Sequence, residues 1–163
     1  MAGFAPTQQL AIVCQGLTCA LRSDAALEVV TLPPLMRVPG VPPYLLGLFV
    51  HLGQLLPLIA LALLMRRPRQ DWSSRRRRAV ILESSLGRFG VPVSEVMGPG
   101  DFSPTRPPTA ELPGFVVGLG DAPVPETLAI DPDLLARTLG ADEPESEMGS
   151  GWPRRALWSE PEP

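Results

Sequence analysis

The sequence predicts a mostly β protein made of two similar β units, and three observations support this class. The 163 residues include 21 prolines, and between Pro33 and Pro132 proline-free stretches longer than ten residues occur only at 44–56 and 69–91. Because proline removes a helical hydrogen-bond donor, long helices have little room. Hydrophobic residues, 45% of the chain, fall in short runs between Pro and Gly turns. Each half also repeats one order: strand, Gly turn, strand, a Glu-Val pair and a Pro-rich loop.

Apolar runs bounded by turn residues predict the individual elements. Strands are expected at 8–14, 19–22, the end of 24–32, 44–50, 55–59, 79–83, 89–93, 115–120 and 128–131. Short helical segments are expected at the start of 24–32, at 60–65 and at 132–139, where Pro132 occupies the first turn.

The composition separates one folded domain, 1–139, from a tail at 140–163. Within the domain, the Arg-rich stretch 66–78 predicts a solvated linker between a subdomain at about 7–65 and another at about 79–139. Exchange of strands between the two subdomains stays open. The tail is acidic, Pro-rich and poor in aliphatic residues, a composition that predicts disorder.

Charge and side-chain chemistry exclude several functions. A formal net charge of -3 argues against a nucleic-acid-binding domain. Cys14, Cys19 and His51 are fewer than the roughly four ligands of a structural zinc site, and no catalytic residue or cofactor is predicted. The first residues lack the features of a secretory signal, so a cytoplasmic location with core-facing thiols is expected. A Cys14–Cys19 disulfide across the hairpin is the alternative.

Residues 44–65 allow two interpretations. They carry no formal charge and are long enough to span a bilayer as a helix, with arginines following as a positive flank. However, the turn-like HLGQ at 51–54 lies in the middle, and Pro57 weakens a helix. A buried β-hairpin explains the same residues and is favoured, with a single membrane span as the alternative.

The stretch that begins at Ala26 contains ALEVV and, further on, the run PGVPPYLLG. These two segments resemble the x-x-E-V and P-G-x-P-x-x-L-x-G patterns of CheW, the adaptor family of bacterial chemosensory arrays. VHLG at 50–53 and LLPLIAL at 55–61 resemble N-L-R-G and x-x-x-P-x-x-D-L. GVPVSEVMG at 90–98 resembles G-L-x-V-D-E-V-x-G, and the closing strand and helix follow in order. The resemblance covers 8–139.

This resemblance implies a fold and a role. The fold is two packed SH3-like five-stranded β-barrels with short helices. The role is a non-enzymatic cytoplasmic adaptor between a methyl-accepting chemoreceptor and the CheA-type histidine kinase, with other CheW-like proteins as further partners and no membrane insertion. The interface residues that it implies are Ala26, Glu28, Gly47, Val50, Leu52, Gly53 and Glu95.

Four positions depart from the family pattern, and one of them is Ser94, which stands where V-D-E-V has Asp. Val50 and Leu52 stand where the family has Asn and Arg, and Ala60 stands where it has Asp. Arginine presents a rigid fork of five hydrogen-bond donors, and leucine presents none. We therefore expect that part of a polar interface has been erased, and that the chain is an accessory member that binds receptor but couples weakly to the kinase.

Overall fold

The computed structural model describes residues 8–67 and 77–141. Most of the expected linker at 66–78, nearly all of the expected tail at 140–163 and residues 1–7 lie outside the described residues. The described elements, in chain order, are β1 (Gln9–Cys14), β2 (Leu17–Arg22), a 3₁₀ turn (Ser23–Ala25), β3 (Ala26–Thr31), β4 (Leu45–His51), β5 (Gln54–Ile59), α1 (Leu61–Leu64), β6 (Arg78–Ser84), β7 (Gly87–Val93), β8 (Glu95–Gly100), β9 (Val116–Gly120), β10 (Thr127–Ile130) and α2 (Pro132–Ala141).

The strands form two five-stranded sheets, and neither sheet coincides with one half of the sequence. The first sheet has the order β8-β1-β2-β10-β9, and the second has the order β3-β6-β7-β5-β4. Each sheet therefore takes strands from both sides of the 66–78 segment, so strands are exchanged between the stretches 7–65 and 79–139. The predicted mostly-β class with two five-stranded units and few short helices is confirmed.

The segment that follows an edge strand closes each sheet on itself. After β3, Met36 exchanges two backbone hydrogen bonds with Leu48 of β4, at 2.8 and 2.9 Å. After β8, Arg106 exchanges two with Leu119 of β9, at 3.0 and 2.9 Å. Each bridge joins the segment after one edge strand to the opposite edge strand of the same sheet, as closure of a barrel requires.

Strand β6 separates two hydrophobic cores. Val80 and Leu82 belong to a large core that includes residues of both sheets and of α2. Ala79 and Ile81 belong to a smaller core inside the second sheet. All four side chains are at most 1% exposed. Burial on both faces explains why this strand is a continuous apolar run without polar alternation.

Residues 44–65 form β4, β5 and the four-residue helix α1, so the β-hairpin interpretation is confirmed. The two strands pair antiparallel from Leu45 opposite Ile59 to His51 opposite Gln54. In the described ranges no helix is long and apolar enough to cross a membrane. The single-span alternative is therefore wrong for this segment.

One strand was not predicted. The sequence analysis assigns no strand to 94–98, yet Glu95–Gly100 forms β8 and pairs with β1. Gly98, Pro99 and Gly100 lower the strand propensity of this stretch. Because β8 lies at a sheet edge, a proline without a backbone donor is tolerated there.

The two cysteines are buried, free thiols of the β1–β2 hairpin, as predicted. Cys14 is 1% exposed and Cys19 is 0% exposed. The pKa of the Cys14 thiol is raised well above its usual value, first by the hydrogen bond with Cys19 and then by burial. A buried thiolate beside a second sulfur is poorly solvated, so the neutral thiol is favoured.

We expect the native protein to react with dithionitrobenzoate at pH 8 far more slowly than the urea-unfolded chain, because the thiolate is the nucleophile. Absorbance at a fixed reagent concentration measures this. The unfolded chain, which titrates as two thiols, is the control. A native reaction as fast as the unfolded one would contradict the prediction.

Candidate protein-binding surface

Most of the predicted site residues lie on β3, on β4 and in the β4–β5 turn of the second sheet. The six that lie here are Ala26, Glu28, Gly47, Val50, Leu52 and Gly53. Glu95 lies on β8 of the first sheet, opposite Val13 of β1. The structure thus assembles six of the seven residues on one sheet and places the seventh on the other.

A side-chain contact joins the two edge strands of the second sheet. Nε2 of His51, at the end of β4, lies 3.0 Å from Oε2 of Glu28 on β3. The His51 side chain is 21% exposed and that of Glu28 is 52% exposed. The imidazole can donate Nε2–H to the carboxylate in its protonated form or in one neutral tautomer. The sequence gives His51 no role beyond the turn, because its partner is 23 residues away.

Three exposed aliphatic side chains form what we call the apolar tip: Val50, Leu52 and Leu55, which are 56%, 86% and 49% exposed. Val50 and Leu55 are directly opposite each other in the β4–β5 ladder, so their side chains share one face. Leu52 lies in the turn between them. Clustered exposed apolar side chains mark contact surfaces. Leu55 was missed, although a two-residue turn at 52–53 fixes it opposite Val50.

The backbone of Leu52 is strained. Its φ is +49°, and that of Gly53 is +77°, as in the type I′ turn that suits two-residue hairpins. The left-handed region is unfavourable for a leucine and is tolerated far better by Asn or Gly. Because Leu52 is also almost fully exposed, burial does not offset this cost. Such an outlier supports a role for Leu52 outside the fold itself.

Two of the residues singled out from the sequence are buried. A Cβ at Gly47 would lie 2.8 Å from the carbonyl oxygen of Met36, so glycine allows the closing bridge to form. Ala60 is 0% exposed and is the N-cap of α1, without a side-chain cap. Aspartate is favoured there because its carboxylate accepts backbone N–H bonds. The structure places Ala60 in the interior at a helix start, and the expectation that it stands in place of an interface carboxylate stays a prediction.

The chemistry of this surface suits contact with a protein. The second sheet offers one carboxylate in contact with one imidazole and, at the β4–β5 hairpin, exposed aliphatic side chains. Within residues 8–67 and 77–141, no group of three His, Cys, Asp or Glu residues is arranged to hold a metal ion.

Comparisons with known proteins agree with this architecture. The sequence matches the CheW-like domain family over residues 8–121. The crystal structure of the scaffolding protein TtCheW from Thermoanaerobacter tengcongensis is similar in fold, with a TM-score of 0.67 and 21% identity. The similarity covers 80% of this chain and 92% of that chain. The comparison with curated proteins gave no match.

Proposed function

Because the chain belongs to the CheW-like domain family, we propose that it is a cytoplasmic adaptor that links a methyl-accepting chemoreceptor to a CheA-type histidine kinase complex. The family consists of non-enzymatic scaffolds of chemotaxis signalling. The observation that carries the proposal is the family match over 8–121. The exposed side chains of the apolar tip support a protein as the ligand.

The proposal extends to an accessory role, in which the chain binds receptor but couples weakly to the kinase. Val50 and Leu52 are exposed, so the departures from the Asn and Arg of the resembled pattern alter the surface and leave the core unchanged. A guanidinium can bind a carboxylate through two parallel hydrogen bonds. An aliphatic side chain offers none of these bonds, which favours a weaker contact wherever the kinase presents a polar group.

The test measures binding of a receptor signalling-tip fragment and of the kinase by titration calorimetry. We expect the natural chain to bind the receptor fragment, and the double variant Val50→Asn/Leu52→Arg to bind the kinase at least about tenfold more tightly than the natural chain does, about 1.4 kcal/mol. Leu86→Arg is the matched control, because Leu86 is 39% exposed in the β6–β7 turn of the same sheet.

The outcomes separate the two levels of the proposal. Binding to neither receptor nor kinase would overturn the adaptor function. Kinase binding by the natural chain that equals that of the double variant would overturn the accessory role alone. A gain in kinase affinity from Leu86→Arg would attribute the effect to added positive charge in general, and would likewise overturn the accessory role.

A further inference from the structure

The contact between His51 and Glu28 involves two residues, and the strands around it carry few other charged side chains. On β3, Glu28 is the only charged residue, and β5 has none. Arg78 of β6 donates to a backbone carbonyl at 3.1 Å, and Glu83 of β6 pairs with Arg88 of β7 at 3.5 Å. His51 is thus the basic side chain that the described structure pairs with Glu28.

We propose that His51 is a positioning residue that holds the Glu28 carboxylate for recognition by a partner. The contact uses Oε2 of Glu28, and the half-exposed carboxylate retains further acceptor sites. The group that it recognises is a hydrogen-bond donor of the partner, with arginine or lysine forming the strongest bond. The inference rests on the proposed function in one respect, since it takes that partner to be the chemoreceptor.

The physical benefit is preorganisation. A glutamate side chain that is free in solution loses rotamer freedom when a partner binds it, and this loss weakens affinity by a few-fold to about tenfold. His51 is less exposed than Glu28, so the more buried imidazole restrains the more exposed carboxylate. The contact also connects the two edge strands of the second sheet, β3 and β4, so the position of the carboxylate relative to β4 is fixed.

A double-mutant cycle on receptor binding tests the proposal. His51→Leu removes the donor, His51→Gln keeps an N–H donor near the place of Nε2, and Glu28→Gln removes the charge. We expect His51→Leu to weaken receptor affinity about three- to tenfold and His51→Gln to restore most of it. In the presence of Glu28→Gln, His51→Leu should have little further effect, because the two residues act as a unit.

Nitrogen-15 spectra of the imidazole give a readout independent of binding. His51 is the only histidine in the sequence, so its signals need no assignment. We expect a proton on Nε2 in the natural chain and a changed imidazole spectrum in Glu28→Gln. Glu28→Gln changes a half-exposed side chain, so we expect this variant to fold. The spectra therefore test the proposal even where His51→Leu lowers stability.

The outcomes distinguish this inference from the function on which it rests. A natural chain that does not bind the receptor fragment would overturn both. Receptor binding by the natural chain that is unchanged in His51→Leu would overturn the positioning role and leave the adaptor function standing. Equal losses in His51→Gln and His51→Leu would also overturn it, because the donor would then be irrelevant. An imidazole that lacks a proton on Nε2 in the natural chain would also overturn the positioning role.

Discussion

Replacing Phe49 with alanine is expected to lower the free energy of unfolding by about 3–5 kcal/mol. Phe49 is 1% exposed and is the largest member of the small core inside the second sheet, where it packs with Leu56, Leu58 and Ile81. So few large side chains line this core that the neighbours cannot collapse fully into the space left by the ring. Urea denaturation followed by circular dichroism measures the change.

Val117→Ala is the control for this substitution. Val117 is 47% exposed on β9, and we expect its truncation to change the free energy of unfolding by less than about 0.5 kcal/mol. A loss below about 1 kcal/mol for Phe49→Ala would contradict the assignment of Phe49 to a closely packed core.

Gly90 of β7 provides the space for the Phe49 ring. A Cβ at this position would lie 2.9 Å from both Cε1 and Cζ of Phe49. Gly90→Ala is therefore expected to cost about 1–3 kcal/mol by overpacking. In combination with Phe49→Leu, it should cost less than the sum of the two single changes, because the smaller side chain removes the clash.

The sequence predicts well those elements whose signals are local. The turn at Gly16 and the apolar run at 79–82 depend on neighbouring residues, and the structure has a hairpin and a doubly buried strand there. The bridge from Met36 to Leu48 and the bridge from Arg106 to Leu119 arise in Pro-rich connections without an apolar period. They form because the far edge of a curved sheet is nearby, and local sequence does not contain that information.

The same distinction applies to the candidate surface. Leu52 is recognisable because a leucine occupies a turn position, and Leu55 follows from the strand register. The contact between His51 and Glu28 depends on closure of the sheet and has no local signature. A motif gives the position of a residue and not its burial, and the sequence therefore did not indicate that Ala60 is completely buried at a helix start.

Replacing Leu52 with asparagine is expected to stabilise the fold and weaken partner binding at the same time. Asparagine tolerates the left-handed backbone that Leu52 adopts at φ +49°, so we expect the free energy of unfolding to rise by up to about 1 kcal/mol. Loss of an aliphatic contact that is buried on binding costs about 1.5 kcal/mol or more. Affinity for the receptor fragment should therefore fall by about tenfold or more.

Leu86→Asn separates this effect from a general loss of surface hydrophobicity. Leu86 is also an exposed leucine in a hairpin turn of the second sheet, but it does not have a positive φ. The Leu86→Asn substitution should therefore leave receptor affinity unchanged and give no comparable gain in the free energy of unfolding. A stabilised Leu52→Asn variant with undiminished affinity would show that the turn strain has no connection with binding. Higher stability together with lower receptor affinity would indicate that Leu52 contributes to partner binding, because asparagine would then be the more stable residue in the fold.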